Sequence, residues 1–294
     1  MTQTQESDKK GLFKSPIVSG GIKLAVTVLC LWYVSRKIDW LLTWQLLKQS
    51  SKSWLIVATI LFAASKLVSS FRLNFYFKNI QVQLPETKNI KLYWLGMFYN
   101  LFLPGGIGGD AYKVILLSRR DRHSAKKLTA AVLLDRISGV AGLGILVAVY
   151  YFLIYRGGQY SYWLLATIIP ALVIYYFFVK KLFPSFIKSF GSTLWLGLAV
   201  QFLQVLCVYC LMASINLQTN QNEYVFLFLL SSIVAILPFT VGGLGAREVV
   251  FLWGSQQFHL DTHQSIYISI LFYLITVFVS LIGVRWVYKD PLAA

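Results

Sequence analysis

Two short stretches of this chain combine glycine, proline and charge in a pattern suited to handling anions. The first reads Leu101-Phe-Leu-Pro-Gly-Gly-Ile-Gly-Gly-Asp110 and the second Leu237-Pro-Phe-Thr-Val-Gly-Gly-Leu-Gly-Ala-Arg-Glu248. Proline removes a backbone donor and glycine weakens a helix, so each stretch should break the helix that carries it. Such a break frees backbone N–H groups and opens a helix N-terminus, and both favour phosphate. Gly105, Gly106, Gly108 and Gly109 supply that backbone in the first break; Gly242, Gly243 and Gly245 supply it in the second. Asp110 closes the first break, and Arg247 with Glu248 closes the second. Asp135 and Arg136 start the helix after the first break, Lys66 sits within an earlier helix, and Arg72 lies at the end of that helix. Arg136 and Arg247 suit charge-assisted hydrogen bonds to a phosphodiester. Asp110 and Glu248 would balance these arginines or meet a cationic part of a substrate. The competing reading is that Asp110, Asp135, Arg136, Arg247 and Glu248 neutralise one another and lock the fold.

The elements that must position these groups follow from composition. The 294 residues are 57% hydrophobic and 13% charged, with mean hydropathy +0.65. Soluble domains carry about 25% charged residues, so a water-soluble enzyme is excluded and an integral membrane protein remains. Apolar runs long enough to cross a bilayer lie at 17–35, 54–71, 129–155, 162–179, 194–216 and 265–288. The glycine-rich stretches interrupt two further apolar runs, 93–118 and 224–258. Broken backbone at membrane depth persists only inside protein or beside a wet cavity. The expected fold is therefore an all-α polytopic membrane protein, with about six full transmembrane helices plus two Gly/Pro-broken re-entrant hairpins. The polar residues 1–16 form a tail, and the first helix lacks a small-residue cleavage site and should stay uncleaved.

Charge gives an orientation. With both interrupted runs returning to their side of origin, eighteen Lys and Arg fall on the side of the tail and five on the other. That bias makes the eighteen-cation side cytoplasmic, and both termini with it. The glycine motifs Gly105-Gly-Ile-Gly-Gly109 and Gly242-Gly-Leu-Gly-Ala246 are 137 residues apart, and the same shift superposes the runs around them. Residues 17–155 and 162–288 thus read as two membrane repeats. Three crossings precede the second, so it enters from the opposite side, an inverted-topology arrangement found in many transporters.

Other patterns carry less. The glycine run follows no strand and lacks the Gly-Lys-Ser/Thr ending of a nucleotide loop. Cys30, Cys207 and Cys210 lie in apolar runs and read as small buried residues. His259 and His263 near Asp261 make a poor metal site, and no nucleophile–base constellation assembles on one face. No cofactor is expected. The net charge of +16 is explained by membrane orientation, leaving nucleic acid no module to bind. The run Ser118-Arg-Arg-Asp-Arg-His-Ser-Ala-Lys-Lys127 either binds anionic headgroups or only sets topology.

Three segments carry a family resemblance: Asn100-Leu-Phe-Leu-Pro-Gly-Gly-Ile-Gly-Gly-Asp-Ala-Tyr-Lys113, Asp135-Arg-Ile-Ser-Gly139 and Pro238-Phe-Thr-Val-Gly-Gly-Leu-Gly-Ala-Arg-Glu248. They resemble the signature segments of the lysylphosphatidylglycerol synthase transmembrane region, the flippase-like family that includes the flippase domain of the multiple peptide resistance factor. The likeness spans about 17–288. It implies movement of an anionic or aminoacylated phospholipid between leaflets of a bacterial inner membrane. By motif, Asn100, Asp110, Lys113, Asp135, Arg136, Arg247 and Glu248 become lipid-handling candidates, Lys113 standing where many relatives have Arg. Full synthases add a soluble aminoacyl-transferase domain, for which a chain of this length has no room, so lipid aminoacylation is not expected.

The expected function is ATP-independent lipid translocation, with membrane phospholipids and a separate lipid-modifying enzyme as partners. Two alternatives remain open: a secondary transporter of a small solute, and a membrane-embedded lipid-phosphate transferase using Asp135 or Glu248 as base. A non-catalytic partner of a separate synthase is a further reading.

Overall fold

A computed structural model of the protein describes residues 25, 28–33, 35, 36, 40–102, 107–120, 123–237, 240 and 243–292. Among these residues all regular structure is helical. The helices are α1 (Trp40–Gln49), α2 (Lys52–Asn79), α3 (Glu86–Phe102), α4 (Gly108–Arg120), α5 (Ala125–Ile154), α6 (Gln159–Ala166), α7 (Ile168–Leu182), α8 (Phe190–Ser214), α9 (Gln221–Ile236), α10 (Ala246–Gln257) and α11 (Thr262–Leu281). Among the described residues, five helical stretches are long and apolar enough to cross a membrane: Lys52–Asn79, Ala125–Ile154, Gln159–Leu182, Pro184–Ser214 and Thr262–Trp286. Five of the six spans expected from sequence fall on them. The sixth, 17–35, lies largely outside the described residues, as does the tail 1–16. Pro170 interrupts the Gln159–Leu182 stretch near its middle, where α6 gives way to α7 at Thr167.

Both glycine-rich breaks end a helix as expected, and in each case the chain folds back along the helix it has just left. In the first, the Lys113 ammonium lies 4.6 Å from the Tyr93 ring centre, and the Tyr99 and Tyr112 rings are 4.9 Å apart. In the second, Arg247 reaches Ser232, and Phe258 meets Phe226 edge-on at 6.0 Å. These helices are short. The 16 residues of α9 rise about 24 Å, less than the ~30 Å of a bilayer's hydrocarbon core.

The ends of the helices gather at two poles. At one pole Phe77 in the last turn of α2, Val82 after it, Leu117 of α4, Leu128 of α5, Val179 of α7, Phe186 and Leu292 share one apolar cluster, and Arg120 pairs with Asp290. At the other, Ser51 N–H bonds the Ser214 carbonyl at 2.9 Å, Ser214 and Tyr267 hydroxyls meet at 2.9 Å, and Tyr224 donates to Gln264. The α3–α4 pair opens at the first pole and α9–α10 at the second. Moved by 137 residues, the bounds of α2, α3, α4 and α5 fall within a few residues of those of α8, α9, α10 and α11 with its 3-10 extension Ile282–Trp286.

The most extensive helix contact is α2 against α8, with α5 laid across α8. Small residues permit this closeness. A Cβ on Gly142 of α5 would lie 2.9 Å from the Gly197 backbone of α8, and one on Gly197 would lie 2.7 Å from the Ser138 carbonyl. The buried hydroxyls of Ser65, Ser69 and Ser138 bond carbonyls of their own helices, so they sit between helices without an unmet donor. Cys207 and Cys210 are buried in the larger apolar cluster, as read from sequence.

Closest of all is the α3–α4 contact, where a Cβ on Gly109 would stand 1.8 Å from the Gly96 carbonyl oxygen. Gly109→Ala should cost about 1–3 kcal/mol by overpacking. Gly144→Ala, where a Cβ meets nothing within 4 Å, should match wild type or exceed it by up to about 1 kcal/mol. Thermal unfolding in detergent checks the contrast; equal midpoints for the two variants would refute the close-contact account.

Candidate functional site

The ionisable groups inside the bundle fall into three arrangements. The first joins α2 to α5: Arg72 Nε donates to Asp135 Oδ1 at 2.7 Å, and both residues are buried. The guanidinium fits because its neighbours are small, with Gly139 and Gly197 presenting no side chain to Nη1. That Nη1 has no hydrogen-bond partner among the described residues. A lone guanidinium or carboxylate at this depth is strongly unfavourable, and here each has its counter-charge in direct contact.

The second arrangement sits at the first break. Asp110, in the first turn of α4, accepts from Lys113 Nζ at 3.0 Å and from Arg136 Nε at 2.6 Å. Two cations thus share one carboxylate. Lys113 is 3% exposed and runs over Gly96, where a Cβ would lie 2.3 Å from its Cε. Arg136 is the open member, with 31% of its side chain accessible. Asn100 closes the break by accepting the Gly109 N–H at 2.9 Å.

The third arrangement, at the second break, is built differently. Gly243 and Gly245 adopt φ of +81° and +84°, backbone that favours glycine. Glu248 is buried, accepts the Gly245 N–H at 2.7 Å through Oε2 and receives the Ser269 hydroxyl at 2.9 Å through Oε1. It therefore caps its own helix, and it is not bonded to Arg247. Arg247 instead approaches the Ser232 hydroxyl at 3.3 Å and lies 5.1 Å from the Phe272 ring centre and 6.0 Å from that of Phe228.

Lys66 of α2 joins these arrangements and had no place among the residues that the motifs singled out for substrate binding. It lies 4.5 Å from the Phe62 ring centre, within electrostatic range of Arg247, Arg72 and Asp135. Lys113 is within the same range of Asp135. Charges therefore run through the bundle from one break to the other: Arg247, Lys66, Arg72 with Asp135, then Lys113, Asp110 and Arg136. Its signal in the sequence was a lone lysine inside an apolar run. Ser232 and Ser269 gave no signal, because serine in an apolar helix is ordinary.

The backbone donors anticipated for an anion are partly spent, since Gly109 N–H goes to Asn100 and Gly245 N–H to Glu248. Side-chain cations are left as the main anion-binding groups. Gly108 begins α4, while Gly105, Gly106 and Gly242 lie outside the described residues. Beside the polar chain, an apolar groove of about 370 Å³ runs between α5 and α6–α7. Ile137, Val140, Ala141, Leu172 and Tyr175 line it, beginning one residue from Arg136.

Removing Asp135 leaves Arg72 buried without its counter-charge. Asp135→Ala should cost about 3–5 kcal/mol, while the double variant Arg72→Met/Asp135→Leu should cost much less. Unfolding midpoints of both in one detergent test this; a double variant no more stable than Asp135→Ala would show that the pair is not the controlling interaction.

Comparison with known proteins places this geometry among relatives. The family model described as lysylphosphatidylglycerol synthase TM region matches residues 21–283. A UPF0104 membrane protein of Pyrococcus horikoshii is 27% identical over 123 residues, covering 40% of this chain and 35% of that protein. The matched stretch thus spans about a third of that relative's length.

Proposed function

The chain belongs to the lysylphosphatidylglycerol synthase TM region family, and from that premise we propose that it translocates an anionic or aminoacylated phospholipid between membrane leaflets. One observation carries the reading: among the described residues five cations, Lys66, Arg72, Lys113, Arg136 and Arg247, stand in the bundle against three carboxylates, Asp110, Asp135 and Glu248. Unbalanced positive charge is costly in a bilayer and attracts an anion. The apolar groove along α5, the helix that also carries Asp135 and Arg136, supports a lipid over a water-soluble solute, because it offers room for an acyl chain.

On this reading α3–α4 and α9–α10 are re-entrant hairpins, one from each face, and residues 17–155 and 162–288 are two inverted repeats. The pole carrying Lys78, Arg119, Lys126 and Lys180 is the cytoplasmic side of a bacterial inner membrane, with both termini there. The chain acts as a translocator rather than an enzyme, passively or coupled to an ion, and takes lipid made by a separate enzyme. Rocking of one repeat against the other exposes the cation chain to each leaflet in turn.

The test is leaflet exchange of labelled phospholipids in proteoliposomes. Arg247→Ala should slow exchange by about tenfold or more while the protein stays folded; Asp110→Asn, which takes the counter-charge from Lys113 and Arg136, should slow exchange and also lower the unfolding midpoint; and Glu248→Gln, a change in a helix cap, should mainly lower stability by about 1 kcal/mol. Wild-type exchange rates in a well-folded Arg247→Ala variant would defeat the assignment.

A further inference from the structure

Among the described residues, every carboxylate near the bundle interior is already engaged. Asp135 holds Arg72, Asp110 holds Lys113 and Arg136, and Glu248 is bonded to the Gly245 N–H and the Ser269 hydroxyl. Among the described residues, Lys66 and Arg247 have no carboxylate within ion-pair distance. Both rest on one aromatic stack. Lys66 faces Phe62, Phe62 meets Phe272 edge-on with ring centres 5.3 Å apart, Phe272 meets Phe228 at 4.6 Å, and Arg247 covers Phe272 and Phe228. A ring face attracts a cation but does not neutralise it. The shared stack places the two cations at its two ends, and like charges on one stack repel until a negative group joins them. In the same break as Arg247, the buried Thr240 hydroxyl oxygen has no hydrogen-bond partner among the described residues.

We propose that Lys66 and Arg247 form a two-cation site that selects lipids with amine-free anionic headgroups, a dianionic phosphomonoester above all, and rejects aminoacylated lipids. The proposal rests on the reading of the chain as a lipid translocator and narrows its substrate. A guanidinium grips phosphate oxygens in a planar fork and an ammonium adds a mobile point charge, so together they match a phosphate with two negative charges. Two charges also balance the excess of five cations over three carboxylates. A lysyl headgroup brings further positive charge to a place where no carboxylate is left to receive an amine, and that repulsion acts at low dielectric. Arg247 supplies anion binding in general. Lys66 sets the preference between headgroups, and it does so from α2, well away in sequence from both glycine-rich breaks.

The experiment compares acyl-labelled phosphatidic acid, phosphatidylglycerol and lysyl-phosphatidylglycerol in phosphatidylcholine proteoliposomes containing wild type, Lys66→Met or Lys66→Arg. Phosphatidic acid should exchange about tenfold faster than the lysyl lipid in wild type. Lys66→Met should remove most of that preference and Lys66→Arg should restore it. Met keeps the unbranched stem without the charge, so its unfolding midpoint should match or exceed wild type. Lysyl lipid moving as fast as phosphatidic acid in wild type, or an unchanged preference in Lys66→Met, would overturn the selection while leaving lipid translocation standing. If no lipid exchanges at all, the translocation reading fails, and binding decides the site. Dioctanoyl phosphatidic acid titrated into detergent-solubilised protein should then quench tryptophan fluorescence at concentrations about tenfold lower for wild type than for Lys66→Met. Equal affinities would overturn the site as well.

Discussion

A guanidinium that leaves water for the inside of a helical bundle must take its counter-charge with it. The bond from Arg72 to Asp135 meets that demand where α2, α5 and α8 converge. Much of the local sequence serves this single contact. Gly139 and Gly197 give the guanidinium room, and Gly142 lets the α5 backbone close on α8 beside it. Ser138 turns its hydroxyl to the Asp135 carbonyl of its own helix, so it asks nothing of its neighbours. The ion pair thereby fixes how α2 and α5 sit against α8, and those three helices carry the rest of the bundle.

The two breaks use this frame for opposite chemistry. A shift of 137 residues carries Asp110 onto Arg247, Asp135 onto Phe272 and Arg136 onto Tyr273. In the first half Asp110 bonds Arg136; in the second Arg247 lies against Phe272. The ring that meets Arg247 thus stands at the position of Asp135, not of Arg136, and the two breaks hold their charged residues through different partners. The first half is balanced around its carboxylates, and in the second Arg247 lies, among the described residues, against rings and a serine.

Most of the helical frame was legible in the sequence, because long apolar runs and Pro–Gly clusters are local signals. The helices that lead into the two Pro–Gly stretches end at Phe102 and Ile236, ahead of them. The charged residues were legible as candidates, since an ionisable group in an apolar run stands out. Their pairing was not. Arg72 and Asp135 are 63 residues apart in sequence, and nothing local says that Arg136, the next residue, turns to Asp110 instead. Glu248 adjoins Arg247 and invites a salt bridge on paper, yet at the start of a helix a glutamate three residues beyond the cap reaches back to the N–H it follows. Lys66 was visible only as an anomaly, and its company of Phe62, Phe228 and Phe272 comes from three different helices.

The glycine crossing of α5 on α8 also has a mechanical side. Where two backbones touch, sliding is blocked by the carbonyls of each chain, and tilting about the contact is the cheap motion left. Gly142 lies 17 residues from the Ala125 end of α5, a lever arm of about 25 Å. A tilt of about ten degrees would swing that end through about 4 Å while the fulcrum hardly moved. Asp135, seven residues from the fulcrum, would move about 2 Å, less than half as far as the helix end, so Arg72 must follow it for the bond to persist.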